Sequence, residues 1–145
     1  MFHESRIDIY DYLYNLFYGV VTRNVYSMQE PQELTASDTA DGFIVISVGN
    51  IVDESEFDLN TYGRVRCFVE AFIPPISRGR LDYDKYKAFE DSINEVIKLA
   101  SEDNTGTYHI ESDSILSADG EEVSNANNVY STFIKSFIVQ IEEQE

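Results

Sequence analysis

The sequence predicts an α+β domain, in which two helices pack on one face of a mainly antiparallel sheet of about four strands. Residues 82–101 have the apolar period of an amphipathic helix, and a second helical pattern opens the chain. Each helix is followed by a pair of strand-like runs. Because strands joined by short turns pair antiparallel, the order α-β-β-α-β-β gives this fold class.

Length and composition predict one domain over residues 1–145, with frayed ends at 1–4 and 142–145. The chain is 43% hydrophobic and contains ten Tyr and nine Phe, which excludes wholesale disorder. Its net charge of −17 disfavours nonspecific binding to nucleic acids or acidic membranes. No apolar run approaches the roughly 20 residues that span a bilayer. A single cysteine and the lack of a signal-peptide pattern predict a cytoplasmic protein.

The first helix is predicted from Ser5, where Ser5 and Asp8 resemble a capping box, to about residue 18 or 21. Apolar residues cover about half of its circumference, which is more than one sheet face needs. Two explanations remain open, a contact with a second subunit or burial under later loops. The candidate interface residues on this helix are Tyr10, Leu13 and Phe17.

Residues 22–41 have no sustained period and are predicted to form an extended connection that ends at the Asp41-Gly42 turn. Val25-Tyr26 within it is predicted as a short edge strand. The β-branched run FIVISV, Phe43 to Val48, predicts a central strand. The next strand, Arg64 to Ile73, alternates, and its side facing the helix is predicted to carry Val65, Cys67, Val69, Ala71 and Ile73.

Asp82 is the predicted N-cap of the second helix. Residues 107–115 predict an edge strand, and the turn at 118–121 is a hairpin signal followed by a polar loop. The final strand, 129–141, has apolar residues on both sides. The packing face of the second helix is predicted to consist of Tyr86, Phe89, Ile93, Val96, Ile97 and Ala100.

Charge is unevenly distributed along the chain. The segment from residue 64 to 87 holds six basic and three acidic residues and nets +3, whereas the rest holds four basic and 24 acidic residues and nets −20. Unlike regions of one chain can dock copies head to tail, although scattered surface charge is the simpler explanation. The candidate partner-binding residues in this segment are Arg78, Arg80, Lys85 and Lys87.

The sequence contains no recognisable catalytic, cofactor or metal motif. His3 and His109 lack metal-ligand spacing, and Cys67 alternates with core-facing valines. The acidic run at 53–58 lacks the glycine and closing glutamate of a calcium loop, so a solvated hairpin tip is expected there. A carboxylate-dependent hydrolase is the most distant alternative, which a bound metal near that run would revive. We therefore expect a protein that is not an enzyme.

The stretch from Val20 to Gln32, VVTRNVYSMQEPQ, follows a helix and precedes the strand at 43–48. It resembles the bacteriophage tail terminator or tail completion family, which also occurs in prophages and contractile tail-like particles. The resemblance implies a homo-oligomeric ring, typically a hexamer, that caps the head-proximal end of the tail tube and joins it to the head. Tail-tube and head-completion proteins would be the partners, and the virion or tail-like particle the final location.

A second hypothesis is a small acidic binding or regulatory module that uses the basic region at 78–87 against an acidic partner. It predicts binding that weakens steeply with salt and with the double substitution Arg78→Ala and Arg80→Ala. Neither hypothesis includes a cofactor, a sequence-specific nucleic-acid contact or a membrane.

Overall fold

A computed structural model describes residues 6–27, 35–53, 61–76, 80–103, 105–119, 123–125 and 128–142. Within these ranges the chain forms three α-helices and eight strands, with one 3₁₀ turn at Ser112–Ser114. The elements in chain order are α1 (Arg6–Phe17), β1 (Val25–Ser27), α2 (Ala36–Asp41), β2 (Phe43–Val48), β3 (Val52–Asp53), β4 (Thr61–Ile73), α3 (Tyr83–Glu102), β5 (Tyr108–Ile110), β6 (Leu116–Asp119), β7 (Val123–Asn125) and β8 (Asn128–Glu142).

The fold is mixed α+β, as the sequence predicted. Its sheet has the order β1-β2-β4-β8-β5, with β3 also paired to β4 and with β6 and β7 also paired to β8. The long strands β4 and β8 form the antiparallel centre, paired from Thr61↔Glu142 to Ile73↔Ser131. Glu142, predicted to belong to a frayed end, is thus the last residue of β8; residues 1–5 and 143–145 lie outside the described ranges.

The predicted count of about four strands and two helices does not match the structure. Both β2 and β3 pair with β4, and β5, β6 and β7 all pair with β8. The partner of each long strand is therefore divided into shorter strands, where the sequence predicted one continuous strand. The pairing register changes between successive short strands, for example from Val48↔Cys67 in β2 to Val52↔Arg64 in β3. β1 adds a parallel edge strand beside β2, at the predicted position of Val25 and Tyr26.

Helices α1 and α3 cover one face of the sheet. The alternation of β4 confirms that its odd-numbered residues face the helices, where Val65, Cys67 and Val69 are buried. Asp82 caps α3 as predicted, because its side chain accepts a hydrogen bond from the Lys85 backbone N–H at 3.1 Å. The buried residues of the two helices are Ile9, Leu13 and Phe17 on α1 and Phe89, Ile93, Val96, Ile97 and Ala100 on α3.

Helix α2 lies in the segment predicted to be an extended connection. Thr35 and Asp38 form a capping box, in which the Thr35 side chain accepts from the Asp38 N–H and the Asp38 carboxylate accepts from the Thr35 N–H. The Tyr26 hydroxyl donates to the buried Asp38 carboxylate, with oxygen distances of 2.7 and 2.9 Å. Burial and this hydrogen bond raise the pKa of Tyr26 to about 12. Tyr26 and Asp38 thereby fasten β1 to α2.

Lys135 is a buried cation on the helix-covered face of β8. Its ammonium donates to the Ser117 hydroxyl at 2.8 Å, lies 3.5 Å from Glu90 Oε2, and sits 5.8 Å from the centre of the Phe133 ring. These contacts join β6, β8 and α3. A buried charge costs free energy unless it is paired in this way, so Lys135 fixes the relative positions of three elements.

The other sheet face, which we call the open face, carries the even-numbered residues of β4 and β8. One end of it holds a small aromatic cluster, in which Phe43 and Phe72 stack with ring centres 4.6 Å apart and Tyr130 packs edge-on against both. Away from this cluster the open face carries two exposed apolar side chains, Phe68 on β4 and Leu116 on β6.

Candidate interaction surfaces

Apolar side chains surround one small residue in the middle of the open face. The small residue is Ser136 on β8, which pairs with Phe68 on one side and Leu116 on the other. Ile134 and Ile138 flank Ser136 along the same strand and are half-buried. Phe68 is 38% exposed and Leu116 60% exposed. Four large apolar side chains therefore surround one small residue, and we call this surface the Ser136 hollow.

Arg66 and Glu70 place opposite charges on the β4 side of the hollow, because they lie two residues to either side of Phe68 on the same face. The Arg66 guanidinium donates to the Ser136 hydroxyl at 3.2 Å and lies 3.5 Å from the Ser114 carbonyl oxygen, both of which are neutral. Arg64, by contrast, makes a bidentate pair with Glu111 at 2.7 and 2.8 Å. Arg66 forms no ion pair with a carboxylate in the part of the chain that the structure describes.

A second exposed surface runs along the outer flank of α1. Ile7, Asp11, Tyr14 and Tyr18 follow one another at spacings of four, three and four residues, so they form one row along the helix. All four are exposed, and the Tyr14 and Tyr18 rings stack at 5.1 Å. We call these residues the α1 outer row. Since Ile9 and Leu13 on the same helix are buried against the sheet, the row faces away from the core.

The candidate interface residues predicted on α1 lie on its inner side. Leu13 and Phe17 have no exposed surface and belong to the core. Tyr10 is half-buried, and its hydroxyl accepts a hydrogen bond from the Val48 N–H at 3.3 Å. The prediction is therefore corrected for Leu13 and Phe17: the wide apolar face of α1 is divided between this core and the exposed outer row.

The basic segment is only partly available to a partner. Arg78 lies outside the described residues, and Arg80 is exposed. Lys85 donates to the Ala40 carbonyl oxygen at 2.7 Å, which ties the first turn of α3 to α2. Lys87 lies 3.6 Å from Asp91 in an exposed i,i+4 pair, which contributes only a few tenths of a kcal/mol. Binding of an acidic partner by this segment stays a prediction.

The described residues bring together no group with evident catalytic chemistry. No cluster of three or more His, Cys, Asp or Glu with metal-binding geometry occurs among them. His109 Nδ1 lies 3.1 Å from the Asp103 carbonyl oxygen. Hydrogen bonds from Thr105, and then the nearby His109, lower the pKa of Asp103 at this exposed turn. His3 and residues 54–58 of the acidic run lie outside the described ranges.

Cys67 is expected to be unreactive in the folded protein. It is fully buried, and desolvation raises the pKa of its thiol from 9.0 to about 12, with only a small opposing effect from Arg66. At pH 8 we expect a maleimide reagent to label Cys67 at a normal rate after denaturation and far more slowly before it. Labelling of the native protein at the rate of the denatured one would mean that the thiol is accessible. The Cys67→Ala variant controls for labelling elsewhere.

The Ser136 hollow was not predicted from the sequence, although the pattern contained a signal for it. The alternation of residues 64–73 puts Phe68 on the side opposite the helix-facing set, whereas the last strand, with apolar residues such as Ile134 and Ile138 on both sides, is predicted to be buried on both faces. Among the described elements the two long helices both lie on one face, and no described helix covers the opposite face. The apolar residues on the face opposite the two long helices identify the surface.

Comparison with known proteins gives no family assignment, since neither a protein-family model nor a curated protein matches the chain. Among the described helices, none combines the length and apolar character that crossing a membrane requires.

Proposed function

We propose that this protein is a structural assembly subunit that associates with copies of itself, as in the phage tail terminator and completion proteins its sequence resembles. The observation that carries the proposal is the presence of two exposed apolar surfaces on opposite sides of the subunit, the Ser136 hollow and the α1 outer row. Exposed apolar side chains that cluster on one surface mark interaction sites. A subunit with two different sites on opposite sides can join to a copy on each side.

Such a subunit forms a ring when the rotation between neighbours closes, and a filament when it does not. In the proposed role the ring, a hexamer as is typical of the resembled family, caps the head-proximal end of a tail tube and contacts tail-tube and head-completion proteins. The protein would act without catalysis or a cofactor, first in the cytoplasm and then in the virion or a tail-like particle. A net charge of −17 also suits a ring whose channel passes DNA, because acidic walls repel the backbone phosphates.

Self-association can be tested with two leucines of nearly equal exposure. Leu116 on the open face is 60% exposed, and Leu99 on the outer side of α3 is 57% exposed. We expect light scattering after size exclusion to give a multiple of the subunit mass for the wild type, alone or with tail-tube protein. Leu116→Asp should reduce this mass to that of a monomer, because it buries a carboxylate at the contact. Leu99→Asp should leave the mass unchanged.

Two results would contradict the proposal. One is a wild-type protein that stays monomeric at every concentration and also fails to bind tail-tube protein. The other is an equal effect of Leu116→Asp and Leu99→Asp, which would mean that the open face has no special part in assembly. Electron microscopy of the assembled sample should show a ring with a central hole.

A further inference from the structure

We propose that α2 is a latch, a segment that opens as a unit while the sheet and the two long helices stay folded, and that the Tyr26–Asp38 hydrogen bond is its main fastening. The opening is a property of the single subunit, so it does not depend on the proposed self-association. It follows from the way α2 is attached, because an element with few buried apolar contacts opens at a lower free energy than the core does.

α2 has no apolar anchor among its described side chains. Of residues 36–38, 40 and 41, Asp38 alone is buried, and the others are exposed. Neither apolar cluster of the described residues includes a member of α2. A helix of six residues is also too short to be stable by itself in water. The folded state of α2 therefore depends on the hydrogen bonds that tie it to its neighbours.

The buried Asp38 carboxylate is at the centre of these hydrogen bonds. It accepts from the Tyr26 hydroxyl of β1, with oxygen distances of 2.7 and 2.9 Å, and from the Thr35 N–H at 3.0 Å. On the other side of α2, the Lys85 ammonium donates to the Ala40 carbonyl oxygen at 2.7 Å, but this bond is exposed to water. A hydrogen bond to a charged and buried group contributes more than one for which water competes. Tyr26 is therefore the principal tertiary partner of α2.

The opening unit has a defined end at Gly42. The Gly42 N–H donates to the Asp38 carbonyl oxygen at 3.0 Å, and the Asn24 amide donates to the Gly42 carbonyl oxygen and to the Ser37 hydroxyl, each at 3.0 Å. The next residue, Phe43, is fully buried in the aromatic cluster of the open face. Because that cluster and the core contain no described residue of α2, their packing persists when α2 opens.

Opening of α2 also loosens the edge of the sheet. It releases the Tyr26 hydroxyl, and β1 pairs with β2 over three residues only. Segments that move when a protein binds a partner are drawn from the parts of a fold with low local stability. α2 and β1 are thus the part of the described chain that can rearrange while the core stays folded.

Hydrogen exchange of the full chain at neutral pH, followed by NMR, tests the proposal. The Asp38 and Gly42 amides report on α2, since their N–H groups donate to the Thr35 hydroxyl and to the Asp38 carbonyl oxygen. We expect them to exchange much faster than the paired amides of β4 and β8. Ile93→Ala should accelerate exchange in β4 and β8 and leave the α2 amides unchanged, because local opening does not require global unfolding.

Tyr26→Phe removes the fastening and keeps the aromatic ring. The α2 amides should then exchange about tenfold faster or more, the expected effect of losing a hydrogen bond to a charged group, with no change in β4 and β8. Tyr83→Phe is the matched control, because Tyr83 is 65% exposed, and it should change neither group of amides. Lys85→Met should accelerate the α2 amides to a smaller degree, and Lys87→Met, in the same exposed helical turn, should have no effect.

Two results would overturn the proposal. If Tyr26→Phe accelerates exchange equally in α2, β4 and β8, the hydrogen bond stabilises the whole fold and α2 is not a separate unit. If it leaves the α2 amides unchanged, another contact holds α2 closed. Since every measurement is made on the subunit itself, a protein that never self-associates would contradict the proposed function and leave the latch standing.

Discussion

Replacing Ile93 by alanine should lower the free energy of unfolding by about 2 to 5 kcal/mol, the usual cost of removing a fully buried branched side chain. Ile93 lies at the middle of α3 with no exposed surface, in the core formed with the odd-numbered residues of β4 and β8. The substitution removes buried apolar contacts and leaves a cavity that the two long strands cannot collapse to fill. Equilibrium unfolding in urea, followed by circular dichroism, measures the change.

Leu99 is the matched control for this substitution, because it lies on the same helix and is 57% exposed. Leu99→Ala keeps a good helix former at a surface position, so its effect should stay within about 0.5 kcal/mol. Equal effects at the two positions would show that α3 does not pack on the sheet through the Ile93 side. That result would also contradict the sequence-based prediction of the packing face.

Periodicity predicted α3 and the strands β2, β4 and β8 because their patterns are long enough to be distinctive. Ile93 and Ile97 repeat at helical spacing through a 20-residue helix, and Val65, Cys67 and Val69 alternate through a 13-residue strand. The pattern then also predicts which residues are buried, because α3 and β4 each have one apolar face that can pack against the other element. The N-cap at Asp82 was predictable for a local reason, as its short side chain reaches the first-turn N–H groups.

Helix α2 was missed because six residues are too few for a helical period to be visible. The segment ASDTAD contains no apolar stripe, and its stability comes from outside the helix. Asp38 makes the capping box with Thr35 and also accepts from the Tyr26 hydroxyl, which is a tertiary contact. The spacing of Thr35 and Asp38 was a local signal of a helix start that could have been used.

The division of the outer part of the sheet into short strands and the burial of Lys135 both depend on contacts between distant segments. Lys135 occupies a position of β8 that the alternation assigns to the core. Its buried charge is tolerated because the ammonium donates to the Ser117 hydroxyl and pairs with Glu90. Neither partner is recognisable from the sequence around Lys135. The Ser136 hollow is a similar case, since Phe68 and Leu116 come to lie on either side of Ser136 only through the register of β8 with β4 and β6.

Replacing Gly42 by alanine is expected to destabilise the fold by about 3 kcal/mol or more, for two reasons that add. Gly42 has φ +86° and ψ 175°, a conformation that is essentially restricted to glycine and costs roughly 1 to 3 kcal/mol for other residues. A Cβ at this position would also lie 2.7 Å from the Phe72 carbonyl oxygen, and close to Pro74 and Phe89 at 3.2 and 3.3 Å. The backbone between α2 and β2 would have to move away from β4.

Gly19 separates these two contributions. Its φ is +77°, but a Cβ there would have no atom within 4 Å. Gly19→Ala should therefore show the conformational cost alone, roughly 1 to 2 kcal/mol, and Gly42→Ala should exceed it because of the clash with Phe72. Urea unfolding of both variants beside the wild type provides the comparison. If the two substitutions cost the same, the close approach of Gly42 to β4 does not constrain the fold, and the junction of α2 with β2 is able to shift.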